Sequence, residues 1–528
     1  MNESLVSETP QSIAEGSAQF RSQVGHISRH SGAFFAGTIF TVGLSYIFKV
    51  YLARVLGAEA LGIYALGMTL VGFLGIFNSF GLSQSALRFV AAYQASGKFK
   101  ELHALLWGGA GVLLIANALL AGVFLIFGKA IALHFYHAPA LVKYLPWFAL
   151  ILLSGVLSGF YGKVLAGFRD IQIRTLIVNF IGSPLIMLLS VLLISAGMGL
   201  RGYLIAQILG AVVVGSLLIA AVWRFTPKAA RLFAQSSISP ERQVWSFSAA
   251  MLGVAFLEFL IGQVDKVALG FYRGPRAVGI YSVAAAFVVY VPIVLNSINQ
   301  IFAPTIVDLH ARGDHALLRR LFQSLTKWTV GLTMPLALVV IVFARPLMRI
   351  FGADFELGWP ILIIGTLGQL VNCGVGSVGY LLLMSGHEKR LIRVQMFMAL
   401  CMIVASAVLV PLWGIYGAAL AAASTNIGIN LWNLLEVRKA LGILPYNRSY
   451  LSLTLPISST LALVLVLKRM SYAFRHDWLA IGVTLLLAYL IFPAVFLAIS
   501  GLDADDRLIA SALRSRLRGA LGPWGGNV

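Results

Sequence analysis

Long apolar runs recur along the whole chain and are separated by short polar connections. A run of about 20 residues in an α-helix crosses about 30 Å of hydrocarbon, so each run is long enough to span a bilayer. The runs are continuous rather than alternating, which predicts helices instead of barrel strands. About fourteen spans are predicted, at approximately 31–53, 61–82, 104–128, 143–166, 172–196, 201–223, 245–265, 277–303, 325–345, 359–384, 391–411, 414–436, 450–467 and 478–500.

The composition agrees with this pattern and excludes a soluble globular protein. Only 11% of the 528 residues are charged, whereas an ordinary domain has about a quarter. The first 30 residues are polar and show no cleavable signal peptide, so the first span is expected to stay in the mature protein. Cys373 and Cys401 lie in apolar runs and are expected to be inert buried thiols.

The net charge of +20 follows from membrane orientation rather than from nucleic-acid binding, because no basic domain lies outside the spans. With the N-terminus in the cytoplasm, the inner side receives about two thirds of the 39 Lys and Arg, which is the expected positive-inside bias. An even number of spans then places both termini in the cytoplasm. The connections are too short for an extramembrane catalytic domain, so the function is expected to lie within the membrane itself.

An internal repeat relates the two halves of the chain. The segment VYLARVLGAEALGIY at Val50–Tyr64 resembles VALGFYRGPRAVGIY at Val267–Tyr281, and the same offset of 217 residues aligns Lys49 with Lys266. Further matches follow in the same order, namely Tyr161–Arg174 with Tyr380–Arg393 and Gly199–Ala206 with Gly414–Ala421. The repeated unit holds six spans, and because six is even the two copies have the same orientation. Parallel halves around a central cavity are a recurrent transporter design.

The predicted fold class is an all-α polytopic membrane protein with about fourteen transmembrane helices, arranged as two parallel six-helix repeats around a central cavity plus two C-terminal helices. The predicted organisation is a cytoplasmic N-terminal segment 1–30, an N-terminal six-helix lobe 31–223, a cytoplasmic linker 224–244, a C-terminal six-helix lobe 245–445, helices 13 and 14 in 446–500, and a cytoplasmic tail 501–528.

Four segments resemble a known family. They are YLARVLGAEALGIYALGMTLVGFLGIFNSFGLSQSALRFVA after the first span, DKVALGFY at the end of the seventh, GYLLLMSGHEK at the tenth, and PLWGIYGAALA between the eleventh and twelfth. With them the chain resembles the Wzx-type polysaccharide flippases of the MATE-like superfamily, over about residues 30 to 445. The resemblance implies a flippase in the bacterial cytoplasmic membrane. Such a flippase moves an undecaprenyl-pyrophosphate-linked oligosaccharide from the inner to the outer leaflet by alternating access, for O-antigen, capsule or exopolysaccharide synthesis.

The resemblance also implies the partners. These are a lipid-linked oligosaccharide and membrane lipids, with a polysaccharide polymerase and chain-length machinery as candidates, and no nucleic acid. No catalytic residue, metal site or cofactor is expected, apart from coupling to H⁺ or Na⁺. A lipid II flippase and a MATE-like multidrug or cation antiporter remain alternatives within transport, and a membrane polymerase or ligase is the alternative outside it. The short outer connections and the duplication favour transport.

Cationic side chains within the spans are the first candidate site residues. An anionic pyrophosphate that enters the membrane needs positive partners to offset its desolvation. Lys49 and Lys266 are the leading candidates because the repeat places them at matching positions. The other predicted members of the cationic cavity are Arg54, Arg88, Arg273 and Arg276. The alternative for each is a side chain that extends to the lipid headgroups.

Two carboxylates of the seventh span are predicted to bind the coupling cation. Glu258 lies roughly 20 Å into that span, where a carboxylate usually faces a protein interior. Asp265 follows seven residues later on nearly the same helix face, and is expected with Lys266 at the outer mouth. We expect H⁺ or Na⁺ binding at Glu258 and Asp265 to bias the alternation, and the alternative is a structural Glu hydrogen-bonded to a neighbouring helix.

Amide side chains give a further prediction. Polar amides recur at helical spacing in the later spans and are expected to line the cavity, where they would hydrogen-bond sugar hydroxyls; they are Asn296, Asn299, Asn426 and Asn430. Hydrogen bonds between neighbouring helices are the alternative explanation for the same residues.

Overall fold

The computed structural model describes residues 31–78, 81–168, 171–231, 242–470 and 477–499, and the regular elements within these ranges are helical. The predicted N-terminal segment, residues 232–241 of the predicted linker, and the predicted tail lie outside the described residues.

The N half is defined here as residues 31–231. Its α-helices, in chain order, are α1 Ser31–Asn78, α2 Leu82–Ala95, α3 Phe99–His103, α4 Gly109–Ala130, α5 Pro139–Val142, α6 Leu145–Gly167, α7 Ile171–Thr175, α8 Ser183–Leu193, α9 Gly199–Phe225 and α10 Lys228–Arg231. Short π-helical segments continue several of them, at Ala104–Gly108, Ile131–Phe135, Leu176–Gly182 and Ile194–Met198.

The C half is defined as residues 242–441. Its α-helices are α11 Arg242–Val288, α12 Ile293–Ala311, α13 His315–Val342, α14 Ala344–Arg349, α15 Trp359–Val375, α16 Val378–Met384, α17 Glu388–Trp413 and α18 Ile415–Leu441. Two helices follow it, α19 Thr454–Met470 and α20 Asp477–Ile499. Turns of 3₁₀-helix occupy Ala353–Gly358 and Arg448–Leu453.

The helix α1 is a hairpin rather than a straight rod. Phe48 and Tyr64 are about 24 Å apart along a straight helix, yet their ring centroids lie 6.1 Å and 4.9 Å from that of Tyr203. The chain reverses at Gly57, where φ is 76° and ψ is 174°. This backbone conformation is open to glycine and strained for a residue with a Cβ. The loop that the sequence predicts between the first two spans is therefore a single-residue break.

The helix α11 has the same shape at the matching place in the repeat. Its break is Gly274, with φ 76° and ψ −177°. Asp265 and Tyr281 lie on either side of that break and are hydrogen-bonded to each other. A second repeat-matched pair of glycines also agrees: Gly199 has φ 51° and ψ −135°, and Gly414 has φ 56° and ψ −126°.

The two hairpins cross each other close to their breaks. A Cβ built on Gly62 would lie 1.8 Å from the carbonyl oxygen of Pro275, and one built on Gly279 would lie 1.9 Å from that of Ala58. No side chain fits in either place, so the backbones of α1 and α11 are in direct contact. Small residues at such crossings are typical of membrane helices, because they allow close packing.

We call the end of the molecule that holds Gly57 and Gly274 the hairpin end. At the other end, called the opposite end, α2 packs against the beginning of α11. The hydroxyl oxygens of Ser85 and Ser248 are 2.6 Å apart there and share a hydrogen bond. The two halves therefore touch at both ends, through glycine backbone at one and through small polar side chains at the other.

The described residues include nine helical runs that are long and apolar enough to cross a membrane, or up to ten when the bent pair Met251–Val288 and Ile293–Gln300 is counted as one span. Several runs hold two predicted spans each, such as Ile173–Phe225 with its 53 residues. This merging is one reason why the number is below fourteen. The protein is an all-α, multi-pass membrane protein, which confirms the predicted fold class.

Candidate functional site

An open cavity of about 280 Å³ lies in the C half and is bordered mainly by α11, α15 and α18. Its polar lining consists of Asp265, Lys266, Tyr281, Gln369 and Asn426. The remaining lining is small or aliphatic, and includes Gly365, Gly368, Ala419, Ala422 and Ala423. The small residues leave space between the helices, and the polar side chains converge on that space.

Asp265 is the buried carboxylate of this cavity, with 6% of its surface exposed. One carboxylate oxygen accepts a hydrogen bond from the hydroxyl of Tyr281. The other accepts one from the backbone N–H of Lys266 at 2.8 Å. Burial of a carboxylate is unfavourable unless its oxygens have partners, and these two bonds offset part of that penalty. A carboxylate has about four lone-pair positions, so Asp265 keeps capacity for a proton or a metal cation.

Lys266 lies beside Asp265 and is half-buried. Its Nζ donates to the side-chain oxygen of Gln263 at 2.8 Å and to the carbonyl oxygen of Gly262 at 3.4 Å. The prediction that Asp265 and Lys266 lie at the outer mouth is wrong. The helix continues beyond Asp265 for about 13 Å before it reaches Gly274, and both side chains therefore lie inside the C half.

The predicted amides fall into two groups. Asn426 lines the cavity, and Asn430 supports it by donating to the Asn426 side-chain oxygen at 3.0 Å. Asn296 is exposed on α12. Asn299 is buried on α12, and its side-chain oxygen has no hydrogen-bond partner among the described residues. Asn296 and Asn299 do not border the C-half cavity, and their predicted place in a central cavity between the halves stays a prediction.

Lys49 lies between the halves. Its Nζ is 5.5 Å from the ring centroid of Tyr46 on its own helix and 5.5 Å from that of Tyr290 in the C half. The Tyr46 hydroxyl donates to the carbonyl oxygen of Ala286 at 3.1 Å, which ties α1 to α11. Aromatic faces attract a cation electrostatically. The two repeat-matched lysines are thus both half-buried within the protein, but Lys49 faces the interface while Lys266 faces the C-half cavity.

Two of the predicted arginines make backbone contacts at the hairpin end. Arg54 donates through Nε to the carbonyl oxygen of Ile350 at 2.8 Å, which joins the N half to the C half. Arg273 donates to the carbonyl oxygen of Pro411 at 2.7 Å, near the end of α17. Both side chains are exposed and hold the ends of helices together.

The other two arginines are also exposed. Arg276 forms an ion pair with Asp354 at 2.9 Å, in which both side chains are more than half exposed. Arg88 lies on α2 with its guanidinium 5.6 Å from the ring centroid of Phe89. None of the four predicted arginines borders the C-half cavity, so the structure separates them from Lys266.

Glu258 and Asp265 do not share a site, although both lie on nearly the same face of α11. Seven residues of helix place them about 10 Å apart along the axis. Glu258 is exposed, and its neighbour Phe259 contacts Phe73 of α1, with ring centroids 5.5 Å apart. The helices beside α11 change along its length: α15 and α18 enclose Asp265, whereas Glu258 lies next to the other half. Glu258 therefore does not border the cavity that holds Asp265, and cation coupling by the two carboxylates stays a prediction.

Lys163 and Arg174 are two further cations within the N half that were not among the predicted site residues. Arg174 on α7 packs across α6, where a Cβ on Gly162 would lie 3.4 Å from its Nε. That Nε is buried and has no hydrogen-bond partner among the described residues. Lys163 follows Gly162 on α6 and is half-buried. The repeat carried a signal for Lys163 only, because it aligns Lys163 with Leu382 but Arg174 with Arg393.

Comparisons with known proteins agree with this architecture. The structure is similar to one titled lipid II flippase MurJ in an inward closed conformation, with a TM-score of 0.68 and 16% identity, covering 88% of this chain and 99% of the other. It is also similar to an inward-facing multidrug resistance MATE family transporter of the MOP superfamily, with a TM-score of 0.63 and 14% identity, covering 75% and 94%. A third similar structure is the Vibrio cholerae MATE transporter VcmN in the bent form, with a TM-score of 0.54 and 16% identity, covering 81% of this chain and 98% of the other.

These low identities show a shared fold. A comparison of the sequence with curated proteins gives no significant match. Residues 28–310, more than half of the chain, match the family model described as polysaccharide biosynthesis protein. The chain therefore belongs to the polysaccharide biosynthesis protein family.

Proposed function

We propose that the protein is a flippase that moves an undecaprenyl-pyrophosphate-linked oligosaccharide from the inner to the outer leaflet of the bacterial cytoplasmic membrane. The observation that carries the proposal is the position of Lys49 and Lys266 within the protein, in a chain of the polysaccharide biosynthesis family. Cationic groups inside membrane-spanning segments are rare, and they mark the paths of polar or charged substrates. An anionic pyrophosphate is the head group that such lysines attract.

The contacts between the halves support alternating access. At the hairpin end the halves meet through Gly62 and Gly279, and at the opposite end through Ser85 and Ser248. Contacts of this kind involve small groups, so rigid halves can separate at one end while they stay in contact at the other. With the N-terminus in the cytoplasm, the hairpin end is the outer side. The oligosaccharide and pyrophosphate then cross between the halves, while the lipid tail stays in the bilayer.

Cation coupling is assigned to Asp265. Asp265 and Tyr281 lie on the two arms of the α11 hairpin, so their hydrogen bond joins the arms. Binding of H⁺ or Na⁺ at the carboxylate changes its charge and weakens that bond. A cation drives alternation only if it binds one conformation better than the other, and a bond between two arms of a hairpin makes its affinity depend on conformation. The predicted role of Glu258 in coupling stays a prediction.

The partners in this proposal follow from the transported molecule. They are the lipid-linked oligosaccharide, the surrounding membrane lipids, and the polymerase and chain-length machinery that consume the units delivered to the outer leaflet. A lipid II flippase would use the same head-group chemistry with a different glycan.

A multidrug or cation antiporter is the second candidate. The observation that favours it is the buried carboxylate of Asp265 in a cavity that also holds Tyr281, since such a cavity suits a cationic substrate. Lys266 in that cavity and Lys49 at the interface repel an organic cation, and like charges select against such a substrate. The flippase accounts for both lysines, which is why we prefer it.

A deletion strain of the native host tests the proposal. Without the gene, lipid-linked oligosaccharide should accumulate on the inner leaflet and the surface polymer should be lost, with unchanged drug sensitivity. Wild-type complementation should restore the polymer, Lys49→Gln with Lys266→Gln should not, and the exposed control Lys129→Gln should restore it fully. Normal polymer with increased drug sensitivity would show an antiporter instead. Lysis with accumulated cell-wall precursor would show a lipid II flippase.

A further inference from the structure

The C-half cavity lies where α15 approaches α11 and α18 through glycine. A Cβ built on Gly365 would lie 2.5 Å from the side chain of Val288 on α11, and one built on Gly368 would lie 3.2 Å from the Cβ of Ala423 on α18. Larger side chains at these two positions would push α15 away from both helices. Because Gln369 follows Gly368 and lines the cavity, the close packing brings its amide to the same space as the polar side chains of α11 and α18.

The amide of Asn426 on α18 has a fixed orientation. The Nδ2 of Asn430 donates to the backbone carbonyl oxygen of Asn426 at 2.9 Å and to the side-chain oxygen of Asn426 at 3.0 Å. A backbone carbonyl only accepts hydrogen bonds, so the Asn430 atom is the nitrogen and the side-chain atom of Asn426 that faces it is the oxygen. The side-chain nitrogen of Asn426 is then left to donate to a ligand in the cavity that Asn426 lines.

Gln369 and Lys266 bring further donors to the cavity. Asn372 donates to the side-chain oxygen of Gln369 at 2.9 Å, which leaves the Gln369 nitrogen as a donor. The ammonium group of Lys266 has three N–H bonds, and two of them are directed to Gln263 and Gly262. Each of the three helices α11, α15 and α18 therefore contributes one donor to the cavity lining.

Asp265 is the acceptor in the same space. Its two oxygens accept hydrogen bonds from the Tyr281 hydroxyl and the Lys266 backbone N–H, and each oxygen keeps a second lone pair. The α11 wall of the cavity thus has a charged acceptor, while the α15 and α18 walls have amide donors. A matching ligand has a donor group on one side and a carbonyl oxygen on the other.

A secondary amide has this shape. Its trans N–H and C=O bonds point in opposite directions, so the N–H group can donate to Asp265 while the carbonyl oxygen accepts from Asn426 and Gln369. The methyl group of an acetamido substituent needs a small apolar space, which Ala419 and Ala422 border. A carboxylate in the ligand would be repelled by Asp265, and a hydroxyl has its donor and its acceptor on one oxygen instead of on two separated atoms.

The N half has apolar residues at two of the matching positions. The repeat aligns Asp265 with Phe48 and Asn426 with Ala211. Phe48 packs on other aromatic rings. The acid and the amide are therefore not part of the duplicated frame, which indicates a function that belongs to the C half alone.

We propose that the C-half cavity binds the acetamido group of the sugar next to the diphosphate, and that Asp265, Gln369 and Asn426 select this sugar. The inference rests on the proposed function, in which Lys266 at the same cavity attracts the diphosphate. The volume of about 280 Å³ is just below the usual range of ligand pockets, about 300–1,000 Å³, so the cavity holds one sugar and not a whole oligosaccharide. A sugar without the amide leaves the polar groups of the cavity unpaired, which is the physical basis of selection.

Two lipid probes that differ in one substituent test the site. The first is undecaprenyl diphosphate with N-acetylglucosamine attached, and the second carries glucose instead. The full chain is placed in nanodiscs of uncharged phosphatidylcholine, and native mass spectrometry measures both dissociation constants at one pH and one salt concentration. The wild type should bind the N-acetylglucosamine probe about tenfold more tightly, because only this probe pairs both walls of the cavity. Equal affinity for the two probes would overturn the proposal.

Variants of the two amides locate the preference. Asn426→Ala and Gln369→Ala each remove one donor and should reduce the preference to about threefold or less, through weaker binding of the N-acetylglucosamine probe. Binding of the glucose probe should change little. Gln94→Ala removes an exposed amide of α2 and should keep the wild-type preference. A wild-type preference in both cavity variants would place the selection elsewhere and overturn the site.

Asn426→Asp gives a change of sign. It replaces an amide donor by a second carboxylate acceptor, so the N-acetylglucosamine probe should bind more weakly than it does to Asn426→Ala. A third probe carries glucosamine, whose ammonium group only donates, and it should bind to Asn426→Asp at least about threefold more tightly than to the wild type. A merely structural Asn426 would weaken all three probes alike. If Asn426→Asp does not fold, as judged by its thermal unfolding, the two alanine variants still decide.

The results separate this inference from the proposed function. The lipid-linked oligosaccharide that accumulates in the deletion strain should carry an acetamido group on the sugar next to the diphosphate, which mass spectrometry detects. If that strain makes normal polymer while the alanine variants lose the preference, the proposed function fails and the sugar site stands. If lipid-linked oligosaccharide accumulates while the wild type binds all probes alike, the sugar site fails alone.

Discussion

The N half and the C half have the same backbone at their hairpins and different chemistry beside it. In both, a lysine precedes the glycine break by eight residues: Lys49 before Gly57, and Lys266 before Gly274. The residue before that lysine is Phe48 in one half and Asp265 in the other. Phe48 packs on other aromatic rings, whereas the Asp265 carboxylate accepts a hydrogen bond in a polar cavity.

The matched tyrosines on the second arm of each hairpin follow the same division. Tyr64 accepts a hydrogen bond from the neutral amide of Gln207 at 2.7 Å, and its counterpart Tyr281 donates to the Asp265 carboxylate. The N half has Lys163 where the C half has Leu382. The two halves therefore share the hairpin backbone and the glycine crossing. They differ in charge, because the C half has the carboxylate of Asp265 and the N half has the additional cation Lys163.

The largest effect on transport is expected for Asp265→Asn, which removes the buried acid found only in the C half. The amide keeps the shape of the carboxylate but loses its charge, so gradient-driven transport by reconstituted protein should fall at least about 100-fold, as expected for the loss of a charged partner in a buried site. The measurement is the transport rate under an imposed Na⁺ or proton gradient. Phe48→Asn places the same amide at the matched position of the N half and should leave gradient dependence intact. Full gradient-driven transport by Asp265→Asn would refute the assignment.

The crossing where the halves are alike should be the next most sensitive place. Gly279→Ala and Gly62→Ala each force a Cβ against backbone, which should destabilise the crossing by about 1–3 kcal/mol and lower transport about tenfold. Thermal unfolding and transport rates measure these effects. The controls on the same two helices are Gly253→Ala and Gly75→Ala, where a Cβ meets open space. Equal behaviour of test and control variants would show that the crossing does not need glycine.

The two repeat-matched tyrosines, Tyr64 and Tyr281, should differ in their effect on cation dependence. Tyr281→Phe removes a donor to a buried carboxylate, a hydrogen bond worth about 1.5–3 kcal/mol, so the coupling-cation concentration for half-maximal transport should change about tenfold. Tyr64→Phe removes a bond to a neutral amide and should change that concentration less than about twofold. Similar shifts in both variants would mean that the Asp265 cavity is not the cation site.

The smallest effect is expected for the arginines at the surface. Arg276→Gln breaks an exposed ion pair, and such pairs contribute about 0–1 kcal/mol, so transport and thermal unfolding should stay close to wild type. Lys49→Gln should lower transport severalfold, because its cation lies between the halves against two aromatic rings. If Arg276→Gln proves the more damaging variant, the substrate path follows the surface arginines and not the interior lysines.

The membrane helices and the two hairpin breaks could be predicted from the sequence because they depend on local patterns of residues. Apolar runs give membrane helices, and the repeat aligns Gly57 with Gly274, which share the same φ and nearly the same ψ. Helical spacing also predicted correctly that Glu258 and Asp265 lie on one face. Their different surroundings follow from tertiary packing, because Asp265 borders the cavity that α11 forms with α15 and α18, and Glu258 does not. No spacing rule within one helix contains that information.

Only part of the candidate site could be predicted from the sequence. Lys49, Lys266 and Asp265 stood out as charges within apolar runs, and the structure keeps all three within the protein. The arginines Arg54, Arg273 and Arg276 stood near them in sequence, but they face outward because the hairpin end is also where helix ends need capping contacts. Arg174 was missed because its contact with Gly162 is a tertiary contact between two helices, which no spacing rule within one helix predicts.

Transport of a labelled substrate by the purified chain tests the central claim most directly. Proteoliposomes would carry an undecaprenyl-pyrophosphate oligosaccharide with a fluorescent sugar, and a membrane-impermeant quencher would report its appearance on the far leaflet. The account predicts quenching well above that of protein-free vesicles, lost when Lys49 and Lys266 are both changed to Gln and kept in Lys129→Gln. Quenching no faster than in protein-free vesicles, with accumulation of a cationic dye by the same protein, would contradict it.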